Sequence, residues 1–267
     1  MMIISALLLD YTKGKIYDGL KKSFKNNVID RWSRWRSEKF LKTFYQEIFQ
    51  LINLDNPQEL NSYLDKIFQD EEMSEILFDA YRRVSLSRSK TIGPRIIAVV
   101  TAKLIYEKRC ADTSEEILLT AAETLNDDEF VEFEYFVSTN KKHANSKNNE
   151  VYFDKSGNLK IKYRQEHFDS NFHPETEISI SPINLTYEIG IWAIKMKNLG
   201  IIYDEVIEKK SKYQEDSERK VYQDGESCHI IWQITIDKDF FILAELAGRF
   251  LSSMEDANDV ASTFNKV

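Results

Sequence analysis

The chain has 267 residues, a hydrophobic share of 42%, an aromatic share of 12% and a formal net charge of −8. That length predicts more than one domain, and the apolar content is too high for a disordered chain. Eight glycines and four prolines favour helices over a loop-rich all-β fold, and two widely separated cysteines, Cys110 and Cys228, exclude a disulfide framework.

The charge is unevenly spread. Residues 11–109 carry 19 Lys and Arg against 13 Asp and Glu, whereas 110–267 carry 17 against 30. A basic first part on an acidic chain can steer an anionic partner, or it can dock on the chain's own acidic remainder.

The opening run MMIISALLLDY is too short to span a bilayer and lacks the basic leader and small-residue cleavage site of a secretory signal. It predicts a buried first helix and no transmembrane segment. The alternative is a peripheral membrane contact, with Lys13, Lys15, Lys21, Lys22 and Lys25 facing acidic lipid. Reduced, unpaired thiols point to a cytoplasmic protein. Residues 11–26 then carry Ile16, Tyr17, Leu20 and Phe24 on one helical stripe.

Residues 28–53 read as one long helix, with Ile29, Trp32, Phe40, Phe44, Ile48 and Leu51 at helical spacing. Arg31, Arg34 and Arg36 interleave with Trp32 and Trp35. Such a mixture either stacks on bases and neutralises phosphates, or buries its rings and lets the arginines snorkel outward. Asn56-Pro57-Gln58-Glu59 signals the next helix start.

The stretch 81–104, YRRVSLSRSKTIGPRIIAVVTAKL, organises the helical part. A helix over 71–86 ends among Ser85, Ser87 and Ser89, whose hydroxyls compete for backbone partners. Gly93-Pro94 then opens the most apolar helix of the chain, with Ile96, Ile97, Val100 and Leu104 as its buried stripe. Arg82, Arg83, Arg88, Lys90 and Arg95 crowd this junction. Together with free N–H groups at the helix start, they are candidates to hold phosphate or carboxylate. The other reading pairs them with the acidic helices downstream. Thr113-Ser114-Glu115-Glu116 and Asn126-Asp127-Asp128-Glu129 read as caps of two such helices.

Residues 141–150, KKHANSKNNE, have no period and read as a linker after a helical domain over 1–140. Beyond it the pattern alternates. Residues 151–153 and 159–163 flank a turn at 154–158, residues 182–198 read as a helix closed by Gly200, and 201–207 and 229–236 read as strands. Residues 240–251 form a last helix and 252–267 a polar tail. Between the two strands lies a charged loop with Lys209, Lys210, Lys212, Arg219 and Lys220. Helix, strand, charged loop, strand and helix is the order of a winged-helix domain over 151–251, with that loop as the wing. A second helix just before Pro182 is not legible. The fold class is therefore mainly α: an N-terminal helical bundle followed by a small α/β, winged-helix-like domain.

The segments Asn198-Leu199-Gly200-Ile201-Ile202 and IWQITIDKDFFILAELAGRF, behind a helical first domain, resemble the abortive-infection alpha-type family of bacterial proteins. The resemblance implies a role in bacterial defence against phage and supplies no catalytic residue.

No enzyme motif stands out. His143, His167, His173 and His229 lack partners at metal-ligand spacing, and adjacent Cys228 and His229 point to opposite faces of a strand. Asp154, Glu166 and Asp169 with Lys160 and Lys162 loosely match a metal-dependent nuclease. The expectation is a non-enzymatic interaction protein of the bacterial cytoplasm with no cofactor, catalytic residue or metal site. Its basic surfaces would meet an acidic protein partner or a second copy. The alternative is a nucleic-acid-binding protein that uses the same arginines and the wing.

Overall fold

In the computed structural model, which describes residues 29–53, 57–144, 150–169, 182–213 and 225–264, the fold is mainly helical with one small antiparallel sheet. The helices are α1 (Ile29–Ile52), α2 (Pro57–Gln69), α3 (Glu71–Leu86), α4 (Ile92–Glu107), α5 (Thr113–Thr124) and α6 (Asp127–Ala144). They are followed by β1 (Val151–Phe153), β2 (Leu159–Asp169), α7 (Leu185–Glu188), α8 (Ile191–Asn198), β3 (Ile202–Tyr213), β4 (Gly225–Ile236) and α9 (Phe241–Phe264). The chain divides into two compact units: Met1–Val131 with Glu245–Val267, and Glu132–Ala244. The divisions fall inside α6 and α9. We call these the helical unit and the sheet unit.

In the helical unit, α4 is the centre, as its composition predicts. Eleven of its sixteen residues are buried, and it packs against α1, α3 and α5. Phe40, Phe44 and Ile48 of α1 face this core, as do Leu77 and Val84 of α3 and Leu118 and Ala122 of α5. Burying a side chain of this size stabilises by roughly 1.5–3 kcal/mol, which is why the apolar stripes decide the packing. The last helix contributes Phe250, whose ring centre lies 5.4 Å from the guanidinium groups of both Arg95 and Arg249. Arg249 also pairs with Glu47 of α1.

In the sheet unit the strand order is β1-β2-β4-β3, antiparallel throughout. The predicted turn at 154–158 forms: the Asp154 carboxylate accepts from the N–H groups of Ser156 and Asn158, and Gly157 has φ +90°. One sheet face is apolar, with Leu159, Ile161, Ile202, Ile234 and Ile236 all buried. Trp192 of α8 is buried and meets the rings of Phe133 and Phe136 of α6 edge-on, at 5.6 and 5.4 Å.

Four expectations change. Residues 141–144 are the last turn of α6, because Lys141, Lys142 and His143 suit a helix C-terminus. Residues 252–264 continue α9 and are not an irregular tail. Lys209, Lys210 and Lys212 stand on β3 in unbroken register with β4, so they are strand residues and not part of a loop. The helix expected over 182–198 is two: Gly190, at φ +135°, breaks it, since an added Cβ there would lie 3.0 Å from the Trp192 ring. The opening run, 11–26, the Asn56 cap, His173, Arg219 and Lys220 lie outside the described residues, as do the side chains of Arg31, Trp32 and Arg34.

Candidate functional site

The turn between α3 and α4 was the strongest sequence candidate for an anion site. Its geometry is that of an anion site already filled. The Asp127 carboxylate, from the first turn of α6, accepts hydrogen bonds from the backbone N–H of Lys90 at 3.0 Å, Thr91 at 3.3 Å and Ile92 at 2.9 Å. Ser89 Oγ donates to Asp127 at 2.5 Å and itself accepts from the N–H of Gly93 at 2.7 Å. Ser87 Oγ donates to the Ala122 carbonyl at 3.0 Å. The free N–H groups that open a helix need an acceptor. Here the chain supplies one from 35 to 37 residues away. Gly93 makes this approach possible: a Cβ there would sit 2.3 Å from the Ala122 carbonyl oxygen.

The predicted cations divide sharply. Arg82 is bound to Asp79 at 2.7 Å, and Arg83 to Asp79 and Glu116 at 2.7 Å each. Burial works to lower the Arg83 guanidinium, but its bonds to Asp79 and the attraction of Glu116 outweigh it and raise the group above its ordinary value. Arg36 donates to the carbonyls of Ser89 at 3.1 Å and Ser85 at 3.5 Å, holding the end of α3, and burial lowers it against the pull of Asp127. Arg95 donates to Ser253 and lies on Phe250. The side chains of Arg88 and Lys90 are exposed. Trp35 is 56% exposed, with the Lys39 ammonium 4.8 Å from its ring centre. Arg36, Arg82, Arg83 and Arg95 thus each have a partner within the helical unit.

A second charged knot lies at the start of α5. Glu115 takes two hydrogen bonds from Arg109, at 2.5 and 2.7 Å, and one from Lys103 at 3.0 Å. The Arg109 bonds pull its carboxyl down to about 2; burial opposes this, while the Asp112 N–H and Lys103 add to it. Asp112 is the cap, reciprocated by Glu115, one residue earlier than the sequence suggests. That shift is what brings Glu115 to Arg109.

In the sheet unit, the second face of the sheet is polar. Tyr152 donates to Gln233 at 3.0 Å, Gln233 donates to Glu205 Oε1 at 2.5 Å, and Lys160 donates to the same oxygen at 3.0 Å. The nuclease-like set does not assemble. Asp154 holds its turn, Glu166 pairs with Arg164 and Lys160 pairs with Glu205. At the rise of a strand, Asp154 and Glu166 are separated by roughly 20 Å. Among the described residues no group of three or more His, Cys, Asp or Glu could hold a metal ion. An apolar crevice lined by Phe40, Phe44, Leu64, Phe68, Leu77 and Tyr81 has space for about one water molecule.

The feature that sequence reasoning missed is the outer face of α7 and α8. Tyr187 is 86%, Ile191 64% and Ile194 40% exposed. The sequence reads Ile183, Tyr187, Ile191 and Ile194 on one helix with a buried Trp192. Trp192 is buried as expected, with Ala193 and Met196 beside it, whereas Ile191 and Ile194 are exposed. Comparison with family models, curated proteins and solved structures finds no match for this chain. No helix among the described residues is long and apolar enough to cross a membrane.

Proposed function

We propose that this is a non-enzymatic interaction protein whose sheet unit docks a protein partner through α7 and α8. The observation that carries this reading is the exposed row of Tyr187, Ile191 and Ile194. The order α6, β1, β2, α7, α8, β3, β4, with β4 between β2 and β3, supports a winged-helix reading of this unit. In that reading, the one-turn α7 is the second helix that the sequence hid, and α8 is the helix that would enter a DNA groove. Yet α8 offers isoleucine where a DNA reader offers donors and acceptors to base edges. Lys197 is engaged by Asp204. An apolar outer face suits a protein.

The internal partners of Arg36, Arg82, Arg83 and Arg95 weigh against the nucleic-acid alternative at the helical unit. Of the arginine and lysine candidates at this turn, Arg88 and Lys90 are exposed and remain for an acidic partner. The abortive-infection resemblance supports a setting in the bacterial cytoplasm, in defence against phage.

Two experiments test this. No binding to random duplex or single-stranded DNA at about 50 mM salt supports it. Binding that weakens by about 10³ between about 50 and 200 mM salt, and is lost in Arg88→Glu/Lys90→Glu, overturns it in favour of a nucleic-acid binder. In bacteria expressing the protein, phage resistance that disappears in Ile191→Glu/Ile194→Glu and survives in Arg88→Glu/Lys90→Glu supports the α7–α8 face. Resistance indifferent to the isoleucines removes that face from the function.

A further inference from the structure

Strand β3 is an edge strand twelve residues long, paired with β4 on one side and with no strand on the other among the described residues. Long edges of this kind are normally blunted by proline, a bulge or a row of like charges, because their free N–H and C=O groups recruit another strand. β3 has no proline and no bulge, and its three lysines share the strand with three acids rather than forming a single-sign edge. Its twelve register pairs with β4 run without a shift. Its charges are sorted by sign: Asp204, Glu205 and Glu208 come first, then Lys209, Lys210 and Lys212.

We propose that the outer edge of β3 pairs antiparallel with β3 of a second copy of this chain, with Ile207 on the two-fold axis. The axis of such a pair stands normal to the sheet, and each residue keeps the same face as its mate. Only registers centred on a residue satisfy this. Centring on Val206 sets Glu205 against Ile207, and centring on Glu208 sets that residue against itself. Centring on Ile207 sets Glu205 opposite Lys209 twice across the axis and Val206 opposite Glu208, so no like charges meet. Glu205 and Lys209 are both exposed. Lys160 and Gln233 both engage Oε1 of Glu205. The half-buried Val206 and Ile207 lie at the centre of the seam. The result is one continuous sheet of eight strands across the two copies. This surface is distinct from the α7–α8 face, and the inference does not rest on that reading.

The test is sedimentation equilibrium of the whole chain over roughly 1–200 µM, since dimer population follows protomer concentration. Wild type is expected to dimerise. Lys209→Glu places acid against Glu205 twice across the axis and should weaken the dimer by about tenfold or more. Glu205→Lys should do the same by placing base against Lys209. An equimolar mixture of the two variants should dimerise again, because each then meets its opposite, and a misfolded chain would not recover on mixing. Ile191→Glu/Ile194→Glu should leave the dimer constant unchanged. A monomeric wild type, a dimer untouched by Lys209→Glu, or a dimer broken by the isoleucine changes would each overturn the proposal.

Discussion

Around the 85–95 turn of the helical unit, backbone N–H groups and arginines meet acceptors from the same unit: Asp127, Asp79, Glu116, and the carbonyls of Ser85 and Ser89. The sheet unit exposes an apolar helix face, and among the described residues its β3 edge has no strand partner. Charge in the first unit holds the fold together, whereas the second unit leaves surface unused. Clusters of arginine in a sequence can therefore be spent on holding a fold, as Arg36, Arg82 and Arg83 are here.

The sharpest way to break this contrast is at Gly93. Gly93→Ala forces a methyl to within 2.3 Å of the Ala122 carbonyl, and the neighbour it meets is backbone, which cannot swing aside. A loss of about 3 kcal/mol or more is expected in urea unfolding. Asp127→Ala strips three backbone N–H groups and the Ser89 hydroxyl of their acceptor, and about 2–3 kcal/mol should go. Asp127→Asn keeps one acceptor oxygen and should lose less.

Glu115 gives a smaller, pH-dependent effect. Its folded carboxyl titrates near 2 against an ordinary 4.5, so the unfolded chain takes up the proton first. The stabilisation is complete above about pH 5 and is lost as pH falls toward about 2. Wild type should lose about 1–2 kcal/mol more than Glu115→Gln over that interval, after discounting for the solvent that screens the pair. The least effect belongs to the other unit. Ile191→Ser/Ile194→Ser removes exposed apolar groups and should change unfolding stability by no more than about 0.5 kcal/mol. A large loss there would mean that the face is covered within the chain, and the contrast would fail.

Much of the helical unit was legible because its signals are local. The α4 stripe, the helix end among the serines and the Asn126–Glu129 cap all follow from periodicity and from hydrogen bonds within three or four residues. The partner of the α4 start was not legible, because Asp127 reads equally well as a cap acid of its own helix. The α7–α8 face was hidden for a related reason. A helical stripe gives only a spacing, and two stripes compete on 191–196: Ile191 with Ile194, and Trp192 with Met196. Tertiary packing against Phe133 and Phe136 chose the second. Strand lengths were underestimated for β2, β3 and β4, because pairing carried them through polar residues that alternation alone does not mark.

The route of the chain has a consequence for its synthesis. The sheet unit is inserted into the helical unit, leaving through α6 and returning through α9. Arg249 and Phe250 meet Glu47 and Arg95 across gaps of about 200 and about 155 residues. On the ribosome, at roughly 5–20 residues per second, the first helices wait about ten seconds or more for these contacts, while the inserted unit can finish first. During that interval, the side of α1 and α4 that will receive Phe250 is open to chaperones and to neighbouring chains.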